Sequence, residues 1–377
     1  MQIAIASDLC PQLRNEPLFM ERKIPKALQS FLEACDFVVA NMECPLIVSP
    51  SPIKKIGANL SASVDCAQGI RDLGIHVMTL ANNHIMDHGL AGIESTIAAL
   101  SQVGIETFGA GKNLEEAIRP YHKTFGENDI YLLTYAENEF NVADKNRPGA
   151  SPLDIRLIVR QLIAAPKHAL KIVILHGGNE HYQLPNPWLR DTCRLIVELG
   201  ASVVVVQHTH CVGTYEEYHN GLILYGQGNF IFDKMQPANR VLWDNGVLLT
   251  LEVHRNQLQA WRVVPYHQSP AVGMLRFTDE AESASILEAM AKRSEIVRSE
   301  DQLEKHWEDY CQKRKMGYQN YLLGYGSFMR RLNWHFHIAD RMNDKTKMNI
   351  GNILRCQAHY EILRAIYSQE NTTPKLK

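Results

Sequence analysis

Seven short apolar runs punctuate the first 230 residues: "IAIAS" (3–7), "FVVANME" (37–43), "VMTLA" (77–81), "IYLLTYA" (130–136), "KIVILH" (171–176), "SVVVVQH" (202–208) and "LILYGQG" (222–228). Several are apolar on both faces, the pattern of central strands covered on both sides. Between them the apolar period changes to that of a helix, over about 25–34, 66–73, 90–102, 152–165 and 188–199. Three of these helices end on "LGI" (73–75), "VGI" (103–105) and "LGA" (199–201), where a glycine takes the left-handed position after the last turn and a strand follows at once. Strand–helix–strand units with short joints predict an α/β architecture with right-handed crossovers. "LEVHRNQLQAWRVVPY" (251–266) reads as a closing hairpin. From about 276 helical patterns dominate, and "NILRCQAHYEILRAIYS" (352–368) carries apolar residues at helical spacing. This tail is expected to be a packed helical appendage or a basic, aromatic surface for a partner.

A chain of 377 residues exceeds one small core and predicts a large domain with an extension. With 45% hydrophobic and 21% charged residues it has a globular composition. A net charge of −2 supplies no whole-molecule field for nucleic acid or an anionic membrane, so neither is an expected partner. No apolar run approaches the ~20 residues of a membrane span. The opening "MQIAIASDLC" has neither the basic nor the apolar region of a signal peptide. The eight cysteines include no close pair and are expected to be reduced core fillers of a cytoplasmic protein.

Polar groups of metal-ligand type stand where the strands end. Asp8 follows the first run, Asn41 and Glu43 close the second, and Asn82, Asn83 and His84 follow the third; His176, with Glu180 four residues on, closes the fifth, and His208 and His210 close the sixth. In open α/β sheets ligands bind at the carboxyl ends of the strands, so these groups are expected in one crevice. In "HTH" (208–210), read as extended, the two imidazoles would share a face. Mixed oxygen and imidazole donors suit Mn, Fe or Zn. A ligand set of one Asp, one Glu, one Asn and three His exceeds the needs of one tetrahedral ion, which makes one or two divalent transition-metal ions the expected cofactor. Asn83 can offer its carbonyl oxygen to a metal while His84 faces the substrate. Asp87, three residues on, can accept the other ring N–H of His84 and fix its tautomer.

The order of "SD" (7–8), "DFVVANMECPL" (36–46), "LANNHIMDHG" (80–89), "FGAG" (108–111), "HGGNEHY" (176–182), "GASVVVVQHTH" (200–210) and "YGQGNFIFD" (225–233) resembles the bacterial capsule-synthesis CapA family, also called the poly-gamma-glutamate biosynthesis or PGA_cap family. That family is related to calcineurin-like metallophosphoesterases. The resemblance, which covers roughly 1–265, implies a four-layer α/β/β/α sandwich; with the change of texture beyond it, the expected division is a sandwich domain over 1–268 and a mainly helical extension over 269–377. By position it implies that Asp8 and His210 serve one metal, that Asn83, His176 and His208 serve a second, and that Glu43 bridges them. His84, supported by Asp87, would be the general acid. Asn41, Lys55, Glu180 and Asn229 are expected on the substrate side, with "GQGNF" (226–230) shaping the wall by close backbone approach. The family's Asp-x-His is here Asp8-Leu9-Cys10, so Cys10 is either a thiolate ligand or a small buried hydrophobe. Its paired aspartates are replaced by Asn41 and Glu43.

The activity expected is that of a metal-dependent phosphoesterase acting on an anionic small molecule or polymer in capsule or poly-gamma-glutamate metabolism. The alternatives are a non-hydrolytic accessory protein of polymer assembly and a metal-dependent amide or peptide hydrolase.

Overall fold

The structure is a computed structural model that describes residues 1–235, 239–324, 326–341 and 344–355. In chain order its principal strands are β1 (Gln2–Cys10), β2 (Phe37–Met42), β3 (Val77–Thr79), β4 (Glu106–Phe108), β5 (Tyr121–Phe125), β6 (Asn128–Ala136), β7 (Leu170–His176), β8 (Val203–Gln207), β9 (Val212–Tyr218), β10 (Gly221–Gln227), β11 (Asn229–Phe232), β12 (Asn245–His254), β13 (Gln257–Ser269) and β14 (Met274–Phe277). The principal helices are α1 (Lys26–Glu33), α2 (Ala67–Asp72), α3 (Gly89–Gln102), α4 (Ile155–Ala164), α5 (Pro187–Glu198), α6 (Glu280–Arg298), α7 (Glu300–Leu322), α8 (Ser327–Phe336) and α9 (Asp344–Arg355).

Two sheets form. One runs β14-β13-β12-β1-β2-β3-β4, with β11 pairing the far end of β1, and the other runs β9-β10-β8-β7-β6-β5. The central strands β1 to β4 are parallel, as are β6, β7, β8 and β10. Strand alternation sorts their side chains into layers. Ile3 and Ile5 of β1, Val39 of β2, Leu132 of β6, Ile172 and Ile174 of β7 and Val203 and Val205 of β8 meet in one cluster between the sheets. Their neighbours Ala4, Ala6, Val38 and Ala40 face outward onto Leu28, Leu32, Ile70 and Ile93 of α1, α2 and α3. On the far side Val173, Leu175, Val204 and Val206 pack on Ile158 and Leu162 of α4 and on Leu189, Cys193 and Ile196 of α5. The result is a four-layer α/β/β/α sandwich.

Gly74, Gly104 and Gly200 end α2, α3 and α5 with φ of +85°, +77° and +98°, as their place before each strand requires. Two details depart from the sequence reading. The 208–210 segment is not extended: His208 and His210 have φ of +89° and +52°, so strand alternation does not set the direction of the two imidazoles, which meet His176 and Asn229 respectively. The register of β1 shifts at Asp8 against both of its parallel neighbours. Such a bulge breaks alternation, and Leu9 and Cys10 both enter the outer apolar cluster.

Contacts divide the chain into a unit over Met1–Glu304 and a second from Lys305 onward. Residues 269–304 thus belong with the sandwich, although the extension was expected to begin at 269. β14 adds to the sheet edge through β13, and α6 joins β9 through a hydrogen bond from Thr214 Oγ1 to the Met290 carbonyl at 2.9 Å. In the second unit α8 is tied to the end of α7 by Asn333, whose amide donates to Asn320 Oδ1 at 2.8 Å. Residues 352–355 of the helix expected over 352–368 fall in α9, and the remainder lies outside the described residues. Among the described residues no helix is long and apolar enough to cross a membrane.

Candidate metal centre

All the parallel strands of both sheets end at one edge, and the two sheets are joined there by buried carboxamides. Gln207 Nε2 donates to the Ala6 carbonyl at 3.0 Å and Gln227 Nε2 to the Ile5 carbonyl at 2.8 Å. This brings Asp8 at the end of β1, Glu43 just past β2, Asn83 beyond β3, His176 at the end of β7 and His208 beyond β8 to one buried place.

His176 Nε2 is the centre of the group. It lies 3.0 Å from Asn83 Oδ1, 3.1 Å from His208 Nδ1 and 3.4 Å from Glu43 Oε2. Donors about 2.1 Å from one tetrahedral ion stand about 3.4 Å apart, so these spacings suit a shared cation. Glu43 Oε1 is buried without a hydrogen-bond partner among the described residues, and Glu43, His176 and His208 form a group able to hold a metal ion. Asp8 adjoins it, 3.8 Å from His176 Nδ1 through Oδ1 and 3.8 Å from His210 Nδ1 through Oδ2. The His208 N–H donates to Asp8 Oδ2 at 3.2 Å, which pins the left-handed turn onto the first strand.

Protonation follows from burial. Loss of water pushes the Asp8 carboxyl up to about 7, with the Glu43 charge adding to the effect, and Glu43 up to about 8. The same desolvation holds His176 down at about 4, His208 at about 3 and His210 well below the usual range. Without a cation, the site favours neutral carboxylic acids beside neutral imidazoles. A divalent ion stabilises the carboxylates and takes the imidazole lone pairs, so the donor set fits a metal.

The residues expected on the substrate side divide. Asn41 sits among the ligands: its amide donates to Asp8 Oδ1 at 2.9 Å and Glu43 Oε2 at 2.7 Å. Asn229 stands behind His210, where its Oδ1 accepts from Nδ1 at 2.8 Å and leaves Nε2 as the free ring nitrogen. Both are buried. Glu180 is at the rim, with its side chain 52% exposed. Lys55 is turned inward, 3% exposed, with its ammonium paired to Asp87. His84 Nδ1 meets Asp87 Oδ2 at 2.7 Å, which directs Nε2 away from Asp87. The wall at "GQGNF" does involve close backbone approach: a Cβ on Gly228, at φ +73°, would stand 2.3 Å from the Asn245 carbonyl oxygen.

Cys10 lies in hydrogen-bond contact with the Cys44 thiol, and burial pushes its thiol well above the usual range. Its environment is that of the outer apolar cluster. Asn82, Glu139 and Trp243 are functional neighbours that the sequence reading did not assign. Asn82 Nδ2 donates to Asn41 Oδ1 at 3.0 Å, so the Asn41 amide must face the carboxylates. Glu139 Oε2 accepts from Asn83 Nδ2 at 3.4 Å, which turns Asn83 Oδ1 towards His176. The Trp243 ring packs 4.9 Å from His210. For Asn82 the signal was its place in "LANNH"; for the other two no local pattern existed.

The model of the family described as Bacterial capsule synthesis protein PGA_cap matches residues 7–234. The chain belongs to this family. The PGA_cap span contains every residue considered above for the metal and the acid. Among relatives, "PGA biosynthesis protein CapA" of Bacillus subtilis (strain 168) is 27% identical over 277 residues, covering 72% of this chain and 71% of that one. "Capsule biosynthesis protein CapA" of Bacillus anthracis is 28% identical over 214 residues, covering 54% of this chain and 52% of that one, about half its length. The crystal structure of 5'-nucleotidase from Candida albicans SC5314 shows a likeness of TM-score 0.40 at 8% identity, covering 80% of this chain and 58% of that chain.

Proposed function

We propose that this PGA_cap chain is a metal-dependent hydrolase, a phosphoesterase acting on an anionic small molecule or polymer in capsule or poly-gamma-glutamate metabolism. The observation that carries the reading is the adjacency of a cation-ready group, Glu43 with His176 and His208, to a His–Asp pair. A structural metal needs no neighbouring acid. The names of the Bacillus relatives support the metabolic setting.

In this reading Asn83, His176, His208 and Glu43 would hold one divalent ion, and Asp8 and His210 would serve a second. An ion of the Mn, Fe or Zn type would supply Lewis acidity and a water made nucleophilic at neutral pH. Asn41 fixes the two carboxylates by donating to both. His84 carries the proton on Nε2 and gives it to the leaving oxygen. Asp87 holds the Nδ1–H and so the ring's orientation. Trp243 walls off His210 and limits water on that side.

A second reading, a non-hydrolytic role in polymer assembly, is favoured by Cys10, whose thiol replaces an imidazole and faces Cys44. One experiment separates them. Protein stripped with a chelator and reloaded singly with Mn, Fe or Zn is assayed on phosphomonoesters, phosphodiesters and amides. Phosphate release that follows the metal content is expected. Metal uptake with no hydrolysis favours the accessory role, and amide cleavage alone overturns the phosphoesterase reading.

A further inference from the structure

The segment 51–60 is fastened to the acid at its base. The Ser51 N–H donates to His88 Nδ1 at 2.8 Å, and the Ile53 N–H donates to the Asp87 carbonyl at 2.9 Å. The Leu60 N–H donates to Asp87 Oδ2 at 2.6 Å. Between these anchors Lys54 and Ile56 point to solvent, while Lys55 turns inward. Its ammonium pairs with Asp87 Oδ1 and stands 3.3 Å from His84 Nδ1. Asp87 Oδ2 takes the imidazole N–H and the Leu60 N–H, whereas Oδ1 has no hydrogen-bond partner among the described residues and is held there by the Lys55 ion pair alone.

A buried ammonium that already has its counter-ion is poorly placed to meet a substrate anion. Its geometry suits another task. A carboxylate held on one oxygen only can pivot about its Cβ–Cγ bond; held on both, it cannot, and the ring it orients is fixed with it. The ammonium also compensates the charge of the buried Asp87 carboxylate.

We propose that Lys55 is a positioning residue for His84, acting through Asp87, and that segment 51–60 is thereby part of the acid machinery rather than a substrate loop. The proposal rests on the reading of His84 as general acid, and the test is chosen to separate the two.

Lys55→Met removes the charge at nearly constant length, and Lys55→Arg keeps it. The first readout is the His84 Nδ1 proton by NMR in the metal-free protein, assigned by its absence in His84→Gln. It should be sharp in the parent and in the exposed-neighbour control Lys54→Met, lost to exchange in Lys55→Met, and present in Lys55→Arg. The second readout is the ratio of kcat/KM on a nitrophenyl phosphate ester to that on an alkyl ester. In Lys55→Met this ratio should rise at least about tenfold, part of the ~10²–10⁴ that a general acid contributes. Lys55→Arg should return it towards the parent value. An unchanged Nδ1 signal in Lys55→Met overturns the proposal whatever the hydrolytic result. So does an equal fall on both esters, which is the mark of a loop that merely props the fold. If His84→Ala leaves the ratio unmoved, the general-acid reading fails, and the proton signal alone decides whether Lys55 holds the pair.

Discussion

His208 accepts a φ of +89°, a conformation that non-glycine side chains rarely adopt, and the His208 N–H on Asp8 is what holds it there. The chemistry of this site is set by such single contacts. Asp8 at about 7 and Glu43 at about 8 keep their protons in the folded metal-free chain, whereas carboxyls in an unfolded chain lose them near pH 4. Folding therefore retains protons between these values, and these two groups make stability fall as pH rises. His176 and His208, at about 4 and about 3, act oppositely, mainly below the usual imidazole value of 6.5. From pH 6.5 to 8 the opposing contribution of the lowered imidazoles fades as they become neutral in the unfolded chain too, and the carboxyls outweigh it. The melting temperature of chelator-treated protein should drop across that interval, and metal affinity should rise across it as the displaced protons become cheaper to remove. Melting temperatures and metal titrations that are flat over the interval contradict the protonation assigned to Asp8 and Glu43. That Asp8, Glu43, Asn83, His176 and His208 meet at one place was legible in the sequence because strand ends deliver them. Their orientation was not: the roles of Asn41 and Asn229 depend on Asn82 and Trp243, contacts that no local pattern encodes.

Elements were legible where period and punctuation agreed. The glycine-ended helices and the strands buried on both faces lie within a few residues of their expected bounds. The strands at 106–108, 121–125, 212–218 and 229–232 were missed; they are short or half exposed, and edge pairing rather than periodicity makes them strands. The boundary near 268 was misleading for a related reason. Helical texture begins there, yet α6 belongs to the sandwich: its Met290 and Val297 are fully buried, and each enters a core cluster shared with the second sheet. Truncation after Glu304 should leave a folded unit that binds metal as the whole chain does. Truncation after residue 268 removes β14 and α6 and should give insoluble or molten protein, because losing each such buried side chain costs about 2–5 kcal/mol. Circular dichroism and metal titration of the two fragments check this. A cooperatively folding 1–268 fragment, or a 1–304 fragment without metal, contradicts the division at 304.

At the scale of the molecule, the fold is a device for aiming the ends of β1, β2, β3, β7 and β8 at one buried point, and the PGA_cap span is the part of the chain that does so. Two sheets whose strands each bring one or two donors can assemble a site that no single element contains. Whether that assembly holds a metal through the residues named is the claim on which the hydrolase reading and the pH dependence of metal affinity both depend. Elemental analysis of protein equilibrated with a limiting divalent metal and freed of excess tests it most directly, with wild type, His208→Ala and Cys10→Ala compared side by side. Wild type and Cys10→Ala should retain metal, since the Cys10 thiol is turned to Cys44 and the outer apolar cluster. His208→Ala should lose it. Equal metal in wild type and His208→Ala, or its loss from Cys10→Ala, would contradict the ligand set proposed here.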